Sequence, residues 1–382
     1  MSHTFSNKYS HRRTAKALLQ TGVAVVALVV HAAPGFAQAS LSEDSLAVVP
    51  KGKESDIGFS NGSFIAVPIP FSNPTLGNGL AAGVAWLFSA DENSNTSSIG
   101  FGGFRSDNGS EGVAFSLDLS FLSDRYSVSF LAGDVSLEYD FTSGPFDFPL
   151  KQTGELYKLE GSYGFTPEFS VGLGVNYAET TLSTNFNGIL PPEVSLAADL
   201  EVFKFGIISQ WDRRDNDIYP TTGSLVTLDI FRGDVTGSVD LDYDKAVVQG
   251  SYFRAGLRSQ DVIAFSATGC KTSNNAPFFD ACSIGLTDGL RGFSVTDYIG
   301  DSLVSVQAEY RGRFGDSPFG YAAFAGAGVV NGTLTSEAGT HSAAGLGLRY
   351  RLSNSFPVDF SADVTINSDD DTLYYIYVGQ SF

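Results

Sequence analysis

Few residues in this 382-residue chain have the types and spacing that chemistry requires. His341 is followed by Ser342, a base and a nucleophile if their side chains met. On a strand, adjacent residues point to opposite faces, so these two cannot pair directly, and His341 is expected as a strand-end residue near an outer rim. Asp240, Asp242 and Asp244 alternate, and Asp369, Asp370 and Asp371 form a run; either group would offer hard oxygens to a divalent cation. Neither has an EF-hand spacing, so both are expected to be a solvated acidic rim. Cys270 and Cys282 stand twelve apart in a Ser/Asn/Gly-rich stretch read as a loop, with no histidine or third cysteine near enough to complete a metal site. No phosphate-cradling glycine loop is visible; the glycines alternate within strands. The expectation is a protein with no catalytic set, metal or cofactor, and not an enzyme.

The elements that must position these residues begin with an export signal. Lys8, Arg12, Arg13 and Lys16 precede an apolar run from Ala17 to Val30, and Ala37-Gln38-Ala39 is a small-residue cleavage site, so residues 1–39 read as a removable secretory signal. Its loss takes four basic and no acidic residues, leaving 19 Lys+Arg against 42 Asp+Glu, a formal charge of −23. Nucleic acid is a poor partner for such a chain. Export also gives two cysteines an oxidising environment, which predicts a Cys270–Cys282 disulfide that staples a loop. Only 17% of residues are charged, against about 25% in soluble domains, and 42 glycines, 31 phenylalanines and 16 tyrosines stand out.

Alternation at a period of two recurs along the rest of the chain. Val113, Phe115, Leu117, Leu119 and Phe121 share one parity against Ser116, Asp118 and Ser120, and Val358, Phe360, Ala362, Val364 and Ile366 oppose Asp359, Ser361, Asp363 and Thr365. Sixteen such stretches run from near 62–70 to near 373–382, among them 126–139, 153–165, 168–180 and 200–211. The chain closes on Tyr377-Val378-Gly379-Gln380-Ser381-Phe382, where Tyr374, Ile376, Val378 and Phe382 share one face with Gln380, and Tyr375, Tyr377, Gly379 and Ser381 the other. This suits the last strand of a membrane barrel, lipid on one side and lumen on the other; the alternative is an ordinary edge strand. The fold expected is all-β, a 16-stranded antiparallel transmembrane β-barrel over 62–382, preceded by a short periplasmic segment, 40–61. With both termini periplasmic, long loops at 140–152, 181–199, 234–241 and 269–300 fall outside the cell, and short turns at 214–221, 258–259, 314–318 and 353–356 inside.

Five motifs in order resemble a known family. They are Arg213-Arg214-Asp215-Asn216 with Tyr219-Pro220-Thr221-Thr222-Gly223; Gly289-Leu290-Arg291-Gly292-Phe293; Gln307-Ala308-Glu309-Tyr310-Arg311; Gly345-Leu346-Gly347-Leu348-Arg349-Tyr350; and the terminal Tyr377-to-Phe382 stretch. They are similar to motifs of the BamA/TamA-type outer-membrane assembly barrels, the superfamily with the bacterial surface antigen domain. The resemblance implies an extracellular loop folded into the lumen, its Arg291 held by acidic residues on neighbouring strands, with Gly292 and Phe293 beside it. Parity points Ser305, Gln307, Glu309 and Arg311 inward, so Glu309 is the expected partner. The competing arrangement leaves Arg291 solvated and pairs Glu309 with Arg311 or Arg349. Where the family usually carries Asp in Phe-x-Asp-x-Gly, this chain has Gly326, so a second acidic partner is missing at that position.

The resemblance further implies residence in the bacterial outer membrane, in contact with its lipid, and a role in inserting or exporting outer-membrane proteins or lipids. The family's client-receiving POTRA domains are not expected in the roughly 20 residues before the first strand, so client proteins would need a separate periplasmic partner. The alternative is a passive, cation-favouring channel or a structural barrel.

Overall fold

The computed structural model describes residues 58–381, leaving aside 93, 144–145, 186–194, 218, 259, 274–275, 279, 286–289, 333–338 and 353–358. The leader expected at 1–39, nearly all of 40–61, and Phe382 lie outside the described residues.

The strands are β1 Ser63–Asn73, β2 Gly77–Ser89, β3 Thr96–Ser106, β4 Glu111–Phe121, β5 Tyr126–Ser143, β6 Phe146–Thr166, β7 Phe169–Asn185, β8 Ser195–Asp212 and β9 Gly223–Gly237. They continue as β10 Leu241–Ala255, β11 Val262–Thr272, β12 Cys282–Ser283, β13 Ile299–Gly300, β14 Ser302–Arg313, β15 Phe319–Asn331, β16 Gly339–Arg351, β17 Asp359–Asn367 and β18 Thr372–Val378. All but β12 and β13 close into one barrel of sixteen antiparallel strands, in which β18 comes round to β1. β12 and β13 pair with each other inside the long connection between β11 and β14. That connection marks one end of the barrel, the loop end; the other is the turn end.

Alternation explains the wall. In β14, Val304 and Val306 are exposed outward while Ser305, Gln307, Glu309 and Arg311 are buried inward. Outward Phe101, Leu159, Leu173, Phe205 and Leu346 continue an apolar belt around the barrel.

Two expectations fail. β5 and β6 form a hairpin through most of the stretch expected as a loop at 140–152, and β7 and β8 reach into 181–199. The period of two persists there with its chemistry exchanged. In the lower part of β7, Leu173 and Val175 face out while Gly174 and Asn176 face in; above Tyr177, Glu179 faces out while Ala178 and Leu182 are buried inward. The same exchange occurs in β6 between Tyr157 and Glu155 and in β8 between Phe203 and Glu201. These strands therefore rise past the apolar belt as a wall that is polar outside and apolar inside. Leu137, Leu156, Leu182 and Val235 pack there against Phe278 and Ile299 of the long loop. At the level of the exchange Tyr157 stacks on Tyr177, and their hydroxyls donate to Glu155 and Glu179 at 2.8 and 2.5 Å.

The second failure is the last strand. β18 ends at Val378, where Gly379 takes φ +105°, and does not continue to Phe382. Val378, expected on the lipid face, is buried in a cluster with Ile69, Phe71 and Ala81 of β1 and β2.

Candidate functional site

The loop from 273 to 301 enters the barrel, and two groups of charges meet it there. Arg291 is buried, and its guanidinium donates to Glu309 of β14 at 2.7 Å and to Asp363 of β17 at 2.9 Å. A planar fork suits this task, because its separate N–H groups reach two carboxylates at once. The guanidinium carbon lies 3.5 Å from the centre of the Phe324 ring. The competing pairing is present too: Arg311 lies 3.3 Å and Arg349 3.8 Å from Glu309, and Arg349 also bonds Asp363. The second carboxylate thus comes from β17. At Gly326, where the family pattern has Asp, a Cβ would stand 2.6 Å from Leu290 Cδ1, so the loop itself occupies that space.

The backbone around Arg291 is fastened as well. Gly292 N–H donates to the Tyr375 hydroxyl at 2.9 Å, and its carbonyl accepts from Asn367 at 2.8 Å. Gly292 has φ +116°, and a Cβ there would meet Ala343 Cβ at 2.5 Å, so only glycine suits the position. Phe293 is buried with its ring centre 5.6 Å from Tyr298 and 5.7 Å from His341. His341 stacks beneath Tyr298 at 3.6 Å, while the neighbouring Ser342 faces outward. Tyr298 in turn donates to Asp369 at 2.6 Å, which gives one of the rim aspartates a structural partner.

The second charge group was not found from the sequence. Asp280, in the same loop, is fully buried and accepts from Lys204 of β8 at 2.9 Å, Lys245 of β10 at 2.8 Å and the Tyr243 hydroxyl at 2.5 Å. Both lysines have inward parity, the one signal available, but nothing in the sequence joins them to a residue 35 and 76 positions away. Two positions on, Cys282 is bonded to Cys270 with Cα atoms 5.7 Å apart. Cys270 is not in a loop as expected: it is on β11, so the bridge ties the loop to the wall.

Asp297 lies in the same loop, accepting from the Ser294 N–H at 2.6 Å. Burial pushes its carboxyl up to about 6, with Asp371 and Asp369 adding like charge and the Ser294 amide opposing them.

At the turn end, the Arg214–Gly223 segment is closed by its own side chains. Arg214 forks onto Asp212 at 2.7 to 3.1 Å, and Asn216 accepts from the Tyr219 N–H at 2.7 Å. Asp215 accepts from the Thr221 and Thr222 amides at 2.8 and 3.0 Å. Partial burial works against its charge, but these amides and the Thr221 hydroxyl hold its carboxyl below the usual range. The Pro220 carbonyl accepts from Arg311 at 2.7 Å, tying the turn to the charge group above it. Gly223 has φ +104° with Arg213 O only 2.0 Å from a built Cβ.

The seam between the first and last strands differs from every other junction. β1 and β2 pair from Ser63 to Asn73, and β17 and β18 from Phe360 to Ile366, but β1 and β18 pair only at Ser72 and Ile376. Of the terminal-strand residues singled out, Tyr377 donates to Asp363 at 2.8 Å and so joins the Arg291 group, and Gly379 ends the strand.

Residues 84–382 match the family model of the Omp85 superfamily domain. No curated protein matches the chain in sequence. Among solved structures, the chain is similar to BamA from Haemophilus ducreyi lacking POTRA domains 1–3, with TM-score 0.56 and 15% identity, covering 83% of this chain and 70% of that one. It is similar to CdiB from Escherichia coli, with TM-score 0.58, 15% identity and coverage of 83% and 62%, and to CdiB from Acinetobacter baumannii, with 0.56, 13%, 83% and 59%. The chain thus spans less than two thirds of the length of the two CdiB structures, and at these identities the likeness is one of fold.

Proposed function

The chain belongs to the Omp85 superfamily, and from that premise we propose that its barrel resides in the bacterial outer membrane and inserts or exports outer-membrane proteins or lipids through the seam between β1 and β18. Clients would reach it with a separate periplasmic partner. The observation that carries this reading is the single pair, Ser72 with Ile376, that joins two strands whose other neighbours are fully laddered. A client strand could add to either exposed edge by backbone hydrogen bonding, as strands do wherever a sheet edge is left open.

β1 carries its own reason for the weak seam. Pro68 and Pro70 are two apart, so both withhold an N–H from the same side of the strand. Proline is tolerated in a sheet where no ladder needs its donor. With β1 and β2 registered along their length, the seam is the side left for it.

The loop seated across the lumen speaks against the reading as an open cation channel. In this proposal Arg291, Gly292, Phe293 and Glu309 lock that loop, and the protein performs no catalysis. Quantitative outer-membrane proteomics after depletion of the chain tests the assignment. A fall in many barrel proteins, or in one client, is expected; an unchanged proteome would leave a structural or channel role as the better account.

A further inference from the structure

We propose that the outer wall of the barrel over β11 and β14–β17 binds one anionic phospholipid, its acyl chains in a notch floored by Ala308, Ala325 and Ala344 and its phosphate at Arg254. The proposal rests on the membrane placement given above and goes beyond the assembly role.

The register builds the notch. Phe265 of β11, Ala308 of β14, Ala325 of β15, Ala344 of β16 and Ile366 of β17 are successive cross-strand partners in one row. Side chains in such a row share a face, so three methyl groups stand between a phenyl ring and a sec-butyl group. The three alanines face outward, and Ile366 bounds them on the β17 side. The next row toward the turn end begins with Arg254 and runs Ile263, Tyr310, Ala323, Leu346, Val364. Apart from Phe265 and Arg254, which stand just beyond its β11 side, the members of the two rows line an almost wholly apolar depression of about 740 Å³, with Ile263 as its β11 wall. Its walls, on β11 and β17, are four strand spacings apart, roughly 19 Å, which is wide for one acyl chain and suits a two-chain lipid.

Arg254 selects the headgroup. It faces outward at the second-to-last position of β10, directly opposite Ile263, which lines the notch. No carboxylate pairs with its guanidinium among the described residues. Asp261, on the turn that follows β10, is buried and accepts from the Tyr310 and Tyr321 hydroxyls. A guanidinium at the edge of an apolar depression binds phosphate in a forked geometry, and a basic group near an anionic leaflet contributes about 1 kcal/mol. Because Arg254 sits at the turn end, the lipid is one of the periplasmic leaflet.

Native mass spectrometry of the full chain released from detergent, titrated with phosphatidylglycerol or phosphatidylethanolamine, tests the site. Phosphatidylglycerol should be retained about fivefold better than phosphatidylethanolamine, the factor that about 1 kcal/mol per cation gives. Arg254→Gln should abolish that preference, and Ala325→Phe, which fills the notch, should bring both adducts to background. Ala325→Leu serves as the milder filling variant, and retention of the unboiled gel shift shows that each variant is a closed barrel. Equal retention of the two lipids, insensitive to either substitution, would mean unselective annular lipid and would overturn the proposal. So would a notch variant that displaces lipopolysaccharide or a second copy of the chain while sparing phosphatidylglycerol. Failure of the membrane placement itself looks different: the wild-type chain would stay in solution without detergent and retain no lipid of any class.

Discussion

Arg291 has two carboxylates within hydrogen-bonding distance, and those carboxylates have two more guanidiniums, so its loss frees the loop without orphaning a charge. Breaking a buried ion pair typically costs about 3 to 5 kcal/mol, and Arg291→Ala should fall near the lower figure because Arg311 and Arg349 still neutralise Glu309 and Asp363. Hydrogen exchange across the loop 273–301 would show it as faster exchange confined to that loop. Arg291→Lys should rescue only part of the protection, since an ammonium cannot fork between two carboxylates. Asp297 gives the loop a pH dependence. Its carboxyl is held at about 6, above the ordinary 3.8, so the seated loop binds a proton that the released loop gives up between those values. Seating is then strongest below pH 4 and weakens as the pH rises through about 6. Limited proteolysis of the loop at pH 5 and pH 7.5 should differ in that direction, and Asp297→Asn should flatten the difference.

Among the strands, the seam and the raised wall make separate predictions. Restoring both donors of β1 with Pro68→Ala and Pro70→Ala should extend the pairing of β1 with β18. Two added hydrogen bonds are worth roughly 1 to 3 kcal/mol, enough to slow amide exchange at Leu373–Val378 by about tenfold. Unchanged exchange there would show that the prolines face β2 after all. The exchange of inner and outer chemistry places the edge of the lipid belt between Leu159 and Glu155 on β6. A tryptophan at position 159 should be quenched by brominated lipid, and one at 155 should not. This exchange also shows what the sequence made legible. Parity alone located all sixteen barrel strands, since a strand's two faces meet different solvents wherever it runs. It misplaces the tops of β5–β8 because an apolar outer face marks a strand only within the lipid belt, and above the belt the outer positions face water and carry Glu155, Glu179 and Glu201. Glu309 was legible from parity and resemblance together. Asp363 was not, because three inward arginines, Arg311, Arg349 and Arg291, compete for every inward carboxylate. The Asp280 group was hidden for a plainer reason: a lone aspartate in a polar loop looks solvated until its wall of lysines is in place.

For the molecule as a whole, the long loop sits in the lumen at the loop end, fastened there by side chains of β8, β10, β14 and β17 and by the bridge to β11. A planar bilayer should therefore record a small, unsteady conductance from the wild-type chain and a larger one from Arg291→Ala; a steady large conductance from both would contradict a seated loop. The positions of the two charge groups matter more than either alone. Asp280 is fixed to β8 and β10, Arg291 to β14 and β17, and the Cys270–Cys282 bridge to β11. Toward β1–β4 no ion pair links the loop to the wall among the described residues; a hydroxyl contact between Thr75 and Ser294, at 3.1 Å, is what the polar contacts offer. The loop is in effect a strut set across one part of the cylinder. It keeps β8–β17 from flattening while β1–β4 have only apolar packing at Leu76 and Phe104 and one hydroxyl contact, so a lateral load bends the wall there first, and the compliance of the whole barrel is gathered beside the joint least able to resist it.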